Sequence, residues 1–233
     1  MHLVVFDIDG TLTDTNQVDS VCYWRAVCEV LGLAGDRPDW SGFRYVTDVG
    51  IAAELCERRL GRQPRRAEIE AIEERLVALL EAALEHEDPA AYQIPGSSEI
   101  VSALSNSSEF GVALATGGLR SSAELKLRRA GLPCASTPLA SSNDAVSRED
   151  ILRIAAGRAT GKYATKFTGF TYVGDGIWDV KAARELGWGF VGIGAGEQAE
   201  RLRQAGAEII VPHYRPTDGF MRLLVHGGRT AGS

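Results

Sequence analysis

Two carboxylates stand two residues apart directly after a short apolar segment near the start of the chain. Residues 2–6 predict a buried strand, and Asp7-Ile8-Asp9-Gly10-Thr11 follows it. Because side chains alternate faces along a strand, Asp7 and Asp9 leave its end on the same side. Neighbouring carboxylates repel each other, and folds keep such pairs mainly where a metal ion or a chemical step needs both. By itself the pair is equally compatible with a surface turn capped by aspartates.

Further polar residues stand at positions from which they could join this pair. Thr116 and Asp175 each follow an apolar run that predicts a strand, and Asp179 lies four residues after Asp175. Arg148 opens an amphipathic segment that predicts a helix. Because the carboxyl ends of parallel strands meet at one edge of a sheet, Asp7, Thr116 and Asp175 can converge although they are distant in the sequence.

The elements that must position these residues alternate between strand and helix from residue 95 onward, which is typical of a parallel sheet covered by helices on both faces. Between residues 15 and 94 we find only helical periodicity, with Pro64 in the first turn of a third helix. We therefore expect an α/β fold with a helical insert after its first strand. The predicted strands cover residues 2–6, 111–115, 170–173, 190–193 and 209–211, with a further one near 134–139.

In their order and placement, these segments resemble the motifs of the haloacid dehalogenase (HAD) superfamily. The resemblance is to its small phosphatases with a helical cap, similar to phosphoglycolate phosphatase and β-phosphoglucomutase. Residues 7–11 resemble the first motif, Thr116 the second, Arg148 the third and residues 174–179 the fourth. This resemblance spans nearly the whole chain. It implies a Rossmann-like catalytic core formed by residues 1–14 and 95–233, and a helical cap domain formed by residues 15–94.

The family resemblance implies a phosphatase that hydrolyses a small, phosphoglycolate-like phosphorylated metabolite. In that reaction Asp7 attacks phosphorus to form an aspartyl-phosphate, while Asp9 protonates the leaving oxygen and later deprotonates the attacking water. Asp7 and Asp175 are carboxylate ligands suited to Mg²⁺, and the absence of convergent His and Cys argues against zinc. The resemblance adds the backbone carbonyl of Asp9 as a ligand, and Asp179 as a holder of metal-bound water or of the positive side chain.

A phosphoryl group also needs donors and a positive charge. The Thr116 hydroxyl and the Gly117 N–H can hold phosphoryl oxygens, although Thr116 is also compatible with a simple helix cap. The family usually places a lysine at its third motif, where this chain has Arg148. Lys162 and Lys166 are rivals for that role, but both come just before the strand at 170–173, at the far end of the sheet.

Substrate choice is expected to depend on the helical insert, since the core motifs hold only the phosphoryl group. Within the insert, residues 40–48 are the least helical part. Arg44 there could pair with a carboxylate or a second phosphate, and Thr47 with a hydroxyl. Arg120, just after the glycines of the second motif, could also contact substrate. The alternative is a connecting loop in which Thr47 caps the next helix and Arg120 lies on the surface.

Two other functions are compatible with the same motifs. A phosphomutase of the β-phosphoglucomutase type would return the phosphoryl group to a sugar, and a non-catalytic protein would only bind a phosphorylated metabolite. The presence of both Asp7 and Asp9 disfavours the non-catalytic protein. Dehalogenases of the superfamily lack the acid corresponding to Asp9. Phosphonoacetaldehyde hydrolase lacks it too and needs a lysine from its cap, whereas residues 15–94 contain no lysine.

Composition excludes several other classes of protein. The 233 residues carry a net charge of -6, and the scattered Lys and Arg residues predict no nucleic-acid surface. No apolar run has the length of a membrane span, and the start of the chain lacks the basic and apolar regions of a signal peptide. The four cysteines lack metal-binding spacing and predict reduced core residues. We therefore expect a cytoplasmic protein, for which a monomer and a homodimer both stay open.

Overall fold

The computed structural model of the protein describes residues 1–86 and 88–227. Its centre is a sheet whose six strands, within these described residues, all pair in parallel in the order β3-β2-β1-β4-β5-β6. The strands are β1 (His2–Phe6), β2 (Phe110–Ala115), β3 (Leu139–Ala140), β4 (Gly169–Gly174), β5 (Gly189–Ile193) and β6 (Ile209–Val211).

Strand β1 lies in the middle of the sheet, where Val4 is opposite Val112 of β2 on one side and Thr171 of β4 on the other. The chain first moves outward from β1 to β2 and β3, and it then returns to β4 on the other side of β1. Such a reversal of direction opens a crevice beyond the carboxyl ends of the strands, where α/β proteins bind their ligands.

The described part of the chain also forms nine α-helices, and together with the parallel sheet they confirm the predicted α/β fold. They are α1 (Asn16–Leu31), α2 (Asp48–Leu60), α3 (Arg66–Ala83), α4 (Ser97–Ser105), α5 (Arg120–Arg129), α6 (Arg148–Tyr163), α7 (Ile177–Leu186), α8 (Gly196–Gln204) and α9 (Thr217–Gly227). No helix of this set combines the length and the apolar character needed to cross a membrane.

The alternation of side chains along β1 feeds two separate hydrophobic cores. Val4 and Phe6 belong to the core on one face, whereas Leu3 and Val5 belong to the core on the other. All four side chains are fully buried, because helices cover both faces of the sheet. The strand end that carries the two aspartates is therefore anchored from both sides.

A third hydrophobic core holds helices α1 to α3 together. On α3, Ile72, Leu76 and Leu80 recur every four residues and are buried in it, as the amphipathic pattern predicts. The same core includes Leu119 and Leu125, so the insert packs against the start of α5. The domain boundaries at residues 14 and 95 stay a prediction, and Glu87 and residues 228–233 of the predicted domains lie outside the described residues.

Three details differ from the sequence-based expectations. The strand expected near residues 134–139 is limited to Leu139–Ala140, which pairs with the end of β2 at the edge of the sheet. Helix α3 begins at Arg66, two residues after Pro64. Helix α9 was not predicted, and it buries Phe220 and Leu224, four residues apart, in the core that contains Val4.

Candidate active site

The loop after β1 holds its two aspartates in fixed positions. The Asp7 N–H donates to the Val173 carbonyl at 2.9 Å, which extends the pairing with β4 by one residue. The Ile8 carbonyl then accepts hydrogen bonds from the backbone of residues 11–13, which folds the loop back on itself. Gly10 has a positive φ of 70°, and a side chain there would collide with Asn16 and Asp175. Glycine is therefore required at this turn.

An acidic cluster, consisting of Asp7, Asp175 and Asp179, lies at the carboxyl ends of β1 and β4. Each residue offers a carboxylate oxygen, and these oxygens lie within 4.8 Å of one another. Asp175 is held by Asn16, whose Nδ2 donates to its Oδ2 at 2.7 Å. Asp179 lies in the first turn of α7, where its Oδ2 accepts the Gly176 N–H at 2.8 Å. The cluster is thus built from the sheet, from α7 and from the first residue of α1.

Arg148, the first residue of α6, inserts its guanidinium into this acidic cluster. Its Nη1 lies 3.3 Å from Asp7 Oδ1 and 3.2 Å from Asp179 Oδ1. Tyr172 donates its hydroxyl to the same Asp179 oxygen at 2.9 Å, and Arg148 Nη2 donates to the Val46 carbonyl of the insert at 3.1 Å. Arg148 Nε is buried and has no partner among the described residues. The Nε donor of this guanidinium therefore has no acceptor among the described residues.

Burial and mutual repulsion dominate the electrostatics of the acidic cluster. Burial, and next the charge of Asp179, raise the pKa of Asp7 well above its usual range, and Arg148 only partly opposes them. The same two causes raise the pKa of Asp175 from 3.8 to about 8. Burial would lower the pKa of Arg148, but Asp179, Tyr172 and Asp7 together offset this, so that pKa is raised. The guanidinium stays charged.

These residues fit a divalent cation. Three carboxylates face one guanidinium, so the cluster holds an excess of negative charge when it is ionised. Asp7 and Asp179 are buried, so water cannot compensate that charge well. Oxygen donors without His or Cys suit Mg²⁺ rather than zinc.

The end of β2 supplies the residues that were predicted to hold phosphate. The Thr116 hydroxyl oxygen accepts the Gly118 N–H at 3.0 Å, which leaves its own proton to be donated elsewhere. At Gly117 a side chain would collide with the Arg148 guanidinium, so a glycine is needed for this close approach. The Gly117 carbonyl accepts the Asp48 N–H at 2.8 Å, which ties the loop to the insert.

The site cavity, with a volume of about 480 Å³, lies between these strand ends and the helical insert. Asp179 is fully buried and does not line it. The sheet side of its wall includes Asp7, Asp9, Thr116, Gly117, Arg148 and Asp175, and the insert side includes Asn16, Asp19, Arg37, Trp40, Thr47 and Asp48.

Of the three residues predicted to select the substrate, only Thr47 lines the site cavity. Thr47 caps α2, and its hydroxyl donates to the Val146 carbonyl at 2.8 Å. Arg44 lines a smaller adjoining cavity of about 130 Å³, where its guanidinium lies over the Tyr45 ring. Arg120 lies in another cavity and donates to Asp144 at 2.6 Å. An ion pair therefore holds Arg120 away from the site.

The two lysines that rival Arg148 also lie elsewhere. Lys162 is exposed and donates to the Ser136 carbonyl at 2.8 Å. Lys166 is exposed in the segment before β4, whose opposite end carries Asp175. Arg148 is the cation that the structure places beside Asp7.

Sequence reasoning missed Lys126, a fully buried lysine of α5. Its Nζ lies 2.6 Å from Asp9 Oδ2 and 2.5 Å from Asp19 Oδ1. The helical spacing could have identified it, because Lys126 is three residues after Ala123 and four before Ala130, which are both buried. This spacing places Lys126 on the buried face of α5. A lysine in an apolar stripe of a helix indicates a buried partner of opposite charge.

Arg37 was missed as well, although it lines the site cavity from the loop after α1. Its guanidinium donates to the Ser20 hydroxyl, which also accepts the Trp40 indole N–H at 2.7 Å. Arg37 forms no ion pair with any acidic side chain in the part of the chain that the structure describes. No periodic pattern marks such a residue in a connecting loop.

Comparisons with known proteins agree with this geometry. A family model described as haloacid dehalogenase-like hydrolase matches residues 1–187. Among proteins with curated descriptions, none matches the sequence.

Solved structures share the fold over nearly the whole chain. A hydrolase from Pseudomonas syringae is similar with a TM-score of 0.67 and 20% identity, covering 97% of both chains. A putative β-phosphoglucomutase from Bacteroides vulgatus has a TM-score of 0.67 and 16% identity, covering 99% of this chain and 91% of that one. A predicted phosphoglycolate phosphatase from Haemophilus somnus has a TM-score of 0.59 and 16% identity, covering 94% and 97%. At these identities the likeness shows the fold alone.

Proposed function

Because the chain belongs to the haloacid dehalogenase-like hydrolase family, we propose that it is a magnesium-dependent phosphatase acting on a small phosphorylated metabolite. The observation that carries this proposal is the convergence of the acidic cluster, Arg148 and Thr116 at one end of the sheet. A carboxylate nucleophile, a cation and a hydroxyl donor are the groups that phosphoryl transfer through an enzyme carboxylate needs.

In the first step of the proposed reaction, Asp7 is the nucleophile. Arg148 contacts it through Oδ1, which leaves the other oxygen to attack phosphorus. As the bond from phosphorus to the leaving oxygen breaks, Asp9 gives that oxygen a proton. Thr116, Gly117 and Arg148 line the cavity at positions from which they can bind phosphoryl oxygens.

In the second step Asp9 takes a proton from water, whose oxygen attacks the phosphorus of the aspartyl-phosphate. The bond from phosphorus to Asp7 breaks, inorganic phosphate leaves and Asp7 is restored. When bound, Mg²⁺ would supply positive charge that offsets the repulsion of the Asp7 carboxylate and the phosphoryl oxygens. Asp7, Asp175 and the Asp9 carbonyl would hold it, and Asp179, which Arg148 contacts, would orient this set.

The proposed substrate carries a second negative group besides its phosphate. The insert side of the site cavity contributes two acidic residues, Asp19 and Asp48, and one cation, Arg37. Because Arg37 has no acidic partner among the described residues, its charge is available to a carboxylate of the substrate. A cavity of about 480 Å³ suits a small acid phosphate of the phosphoglycolate type.

The direct test is a panel of phosphate monoesters incubated with the purified protein. We expect phosphate release from small acidic esters with Mg²⁺ and none with excess chelator. Turnover that requires a hexose bisphosphate and yields an isomeric sugar phosphate would replace the phosphatase by a phosphomutase. Binding of phosphate esters without any turnover would instead indicate a non-catalytic binding protein.

A further inference from the structure

We propose that Lys126 is a positioning residue for Asp9 and that the helical insert, through Asp19, supports this role. The proposal rests on the proposed phosphatase function, since it concerns the residue that moves the proton. Lys126 lies on α5 of the sheet region, outside the four sequence motifs. Its fully buried ammonium contacts an acid from the loop after β1 and an acid from α1.

Burial makes this ammonium dependent on its two partners. A buried charge is costly unless it is paired and hydrogen-bonded. The distances from Nζ to Asp9 Oδ2 and to Asp19 Oδ1, 2.6 and 2.5 Å, are those of strong charge-assisted hydrogen bonds. If the ammonium lost its contact with either acid, part of its buried charge would be left without a compensating partner. Binding to both acids is therefore favoured.

The Asp9 carboxylate is oriented at both of its oxygens. Oδ2 accepts from Lys126, and Oδ1 accepts from the Thr15 hydroxyl at 2.6 Å. Rotation of the carboxylate would break both hydrogen bonds. Since each carboxylate oxygen has a further lone pair, Asp9 keeps capacity to exchange a proton with a ligand in the site cavity that it lines.

The insert contributes two carboxylates to these surroundings. Asp19 contacts the ammonium directly, whereas Asp48 accepts the Leu119 N–H at 2.9 Å, next to α5. Tyr23 in turn donates its hydroxyl to the Asp48 carbonyl at 2.5 Å. The side-chain contacts that Asp19 of α1 and Asp48 of α2 make with α5 and its first turn therefore bear on the position of Lys126, and through it on Asp9.

A structural role alone would have Lys126 hold α1 against α5 without any influence on proton transfer. The two roles differ in how the rate depends on the leaving group. An alkoxide needs the Asp9 proton in order to leave, whereas 4-nitrophenolate leaves without it. Misplacing Asp9 therefore slows the alkyl ester selectively, and a general loss of folded protein slows both esters equally.

The test compares kcat/KM for an alkyl phosphate and for 4-nitrophenyl phosphate in Lys126→Met and in the wild type, both with Mg²⁺. We expect a loss of about 10- to 100-fold for the alkyl ester and of less than about 3-fold for the aryl ester, since general acid catalysis contributes roughly 10²–10⁴-fold. The exposed Lys162 provides the matched control, and Lys162→Met should leave both values unchanged. Equal losses for the two esters, or no loss, would overturn the role.

A second variant keeps the test valid where Lys126→Met does not fold. Asp19→Asn leaves the ammonium on Asp9 and removes its other anchor. We expect the same preference for the aryl ester, with a smaller loss for the alkyl ester. An unchanged ratio between the two esters would count against the insert's part in positioning Asp9. A wild-type protein that hydrolyses neither ester would overturn the proposed phosphatase, which is distinguishable from both results.

Discussion

Asp7 and Asp9 lie two residues apart in the chain but in opposite electrostatic surroundings. Asp7 faces Asp175 and Asp179 and shares the Arg148 guanidinium with Asp179, and burial and like charge raise its pKa. Asp9 instead contacts the Lys126 ammonium at 2.6 Å. Arg148 is thus the one side-chain cation that contacts the acidic cluster around Asp7 within the described residues, whereas at Asp9 the Lys126 ammonium is shared with Asp19 alone.

The two regions also differ in which elements build them. The surroundings of Asp7 come chiefly from the ends of β1 and β4 and from the first turns of α6 and α7. The surroundings of Asp9 include Thr15 and Asp19 of the insert. Under the proposed mechanism, the sheet would hold the nucleophile and the metal, and the contact with the insert would position the acid and base.

The largest effect is expected for the removal of the nucleophile. Asp7→Asn should abolish phosphate release from alkyl and aryl esters, because an amide cannot form the covalent intermediate. The melting temperature should not fall, since asparagine keeps the size of the side chain and removes an acid whose ionised form burial and its acidic neighbours disfavour. Steady-state rates and thermal melting check both points, and near-normal turnover of an alkyl phosphate would rule out this nucleophile.

Truncation of the shared guanidinium should have the next largest effect. Arg148→Ala is expected to cost about 2–4 kcal/mol of transition-state stabilisation, as is typical for one preorganised donor. The value is obtained from kcat/KM with Mg²⁺. Lys166→Ala serves as the control because Lys166 is exposed away from the site, and its kcat/KM should be unchanged. The reverse pattern would assign the third motif to Lys166.

The acidic cluster around Asp7 should make the free energy of unfolding of the metal-free protein depend on pH. Burial and Asp179 raise the pKa of Asp175 from 3.8 to about 8, so between these values the folded protein keeps a proton that the unfolded chain has lost. Its free energy of unfolding therefore decreases as the pH rises from about 4 to about 8. Asp175→Asn should flatten this decrease, whereas the exposed Glu208→Gln should not.

Mg²⁺ should reverse that loss of stability, because its carboxylate ligands must be deprotonated. Chemical unfolding at pH 5 and pH 8, with and without Mg²⁺, gives the comparison. We expect a larger stabilisation by Mg²⁺ at pH 8, and almost none in Asp175→Asn. Equal stabilisation of the two proteins at both pH values would place the cation outside the acidic cluster.

The smallest effect concerns the side of the cavity away from the reacting phosphorus. Arg37→Ala should raise KM for the best acidic substrate about 10- to 100-fold, since a hydrogen bond to a charged group contributes about 1.5–3 kcal/mol. Hydrolysis of 4-nitrophenyl phosphate, which lacks a second acid, should change little. Arg44→Ala is the matched control, because Arg44 lies over Tyr45 in the adjoining cavity. A larger effect at Arg44 would reassign the subsite to it.

Most of the site residues that lie at the ends of the strands could be predicted from the sequence. Apolar runs identify β1, β2 and β4, and the geometry of parallel strands then brings Asp7, Thr116 and Asp175 to one edge without knowledge of side-chain contacts. Strand β3 was placed poorly because two residues, Leu139 and Ala140, carry no detectable period. Its pairing with β2 is a tertiary effect.

The insert side was predictable only in part, because its residues depend on how helices pack. Helical spacing predicted the insert helices but not which of their polar residues would face the site. Lys126 is defined by contacts with Asp9 and Asp19, both more than 100 positions away in the chain. Arg37 and Arg44 stand in the same segment between α1 and α2, but only Arg37 lines the site cavity. Which of them does so depends on the path of the loop, and this path cannot be predicted from a periodic pattern in the sequence.

The central claim, that Asp7 forms a covalent phosphoryl intermediate while Asp9 moves the proton, is tested most directly by trapping that intermediate. Asp9→Asn should form it from 4-nitrophenyl phosphate with Mg²⁺ and hydrolyse it slowly. After an acid quench, we expect mass spectrometry to locate one phosphoryl group on Asp7, and none in the Asp7→Asn, Asp9→Asn double variant. A phosphoryl group on another residue, or full turnover by the wild type with no label on Asp7 in either protein, would contradict the account.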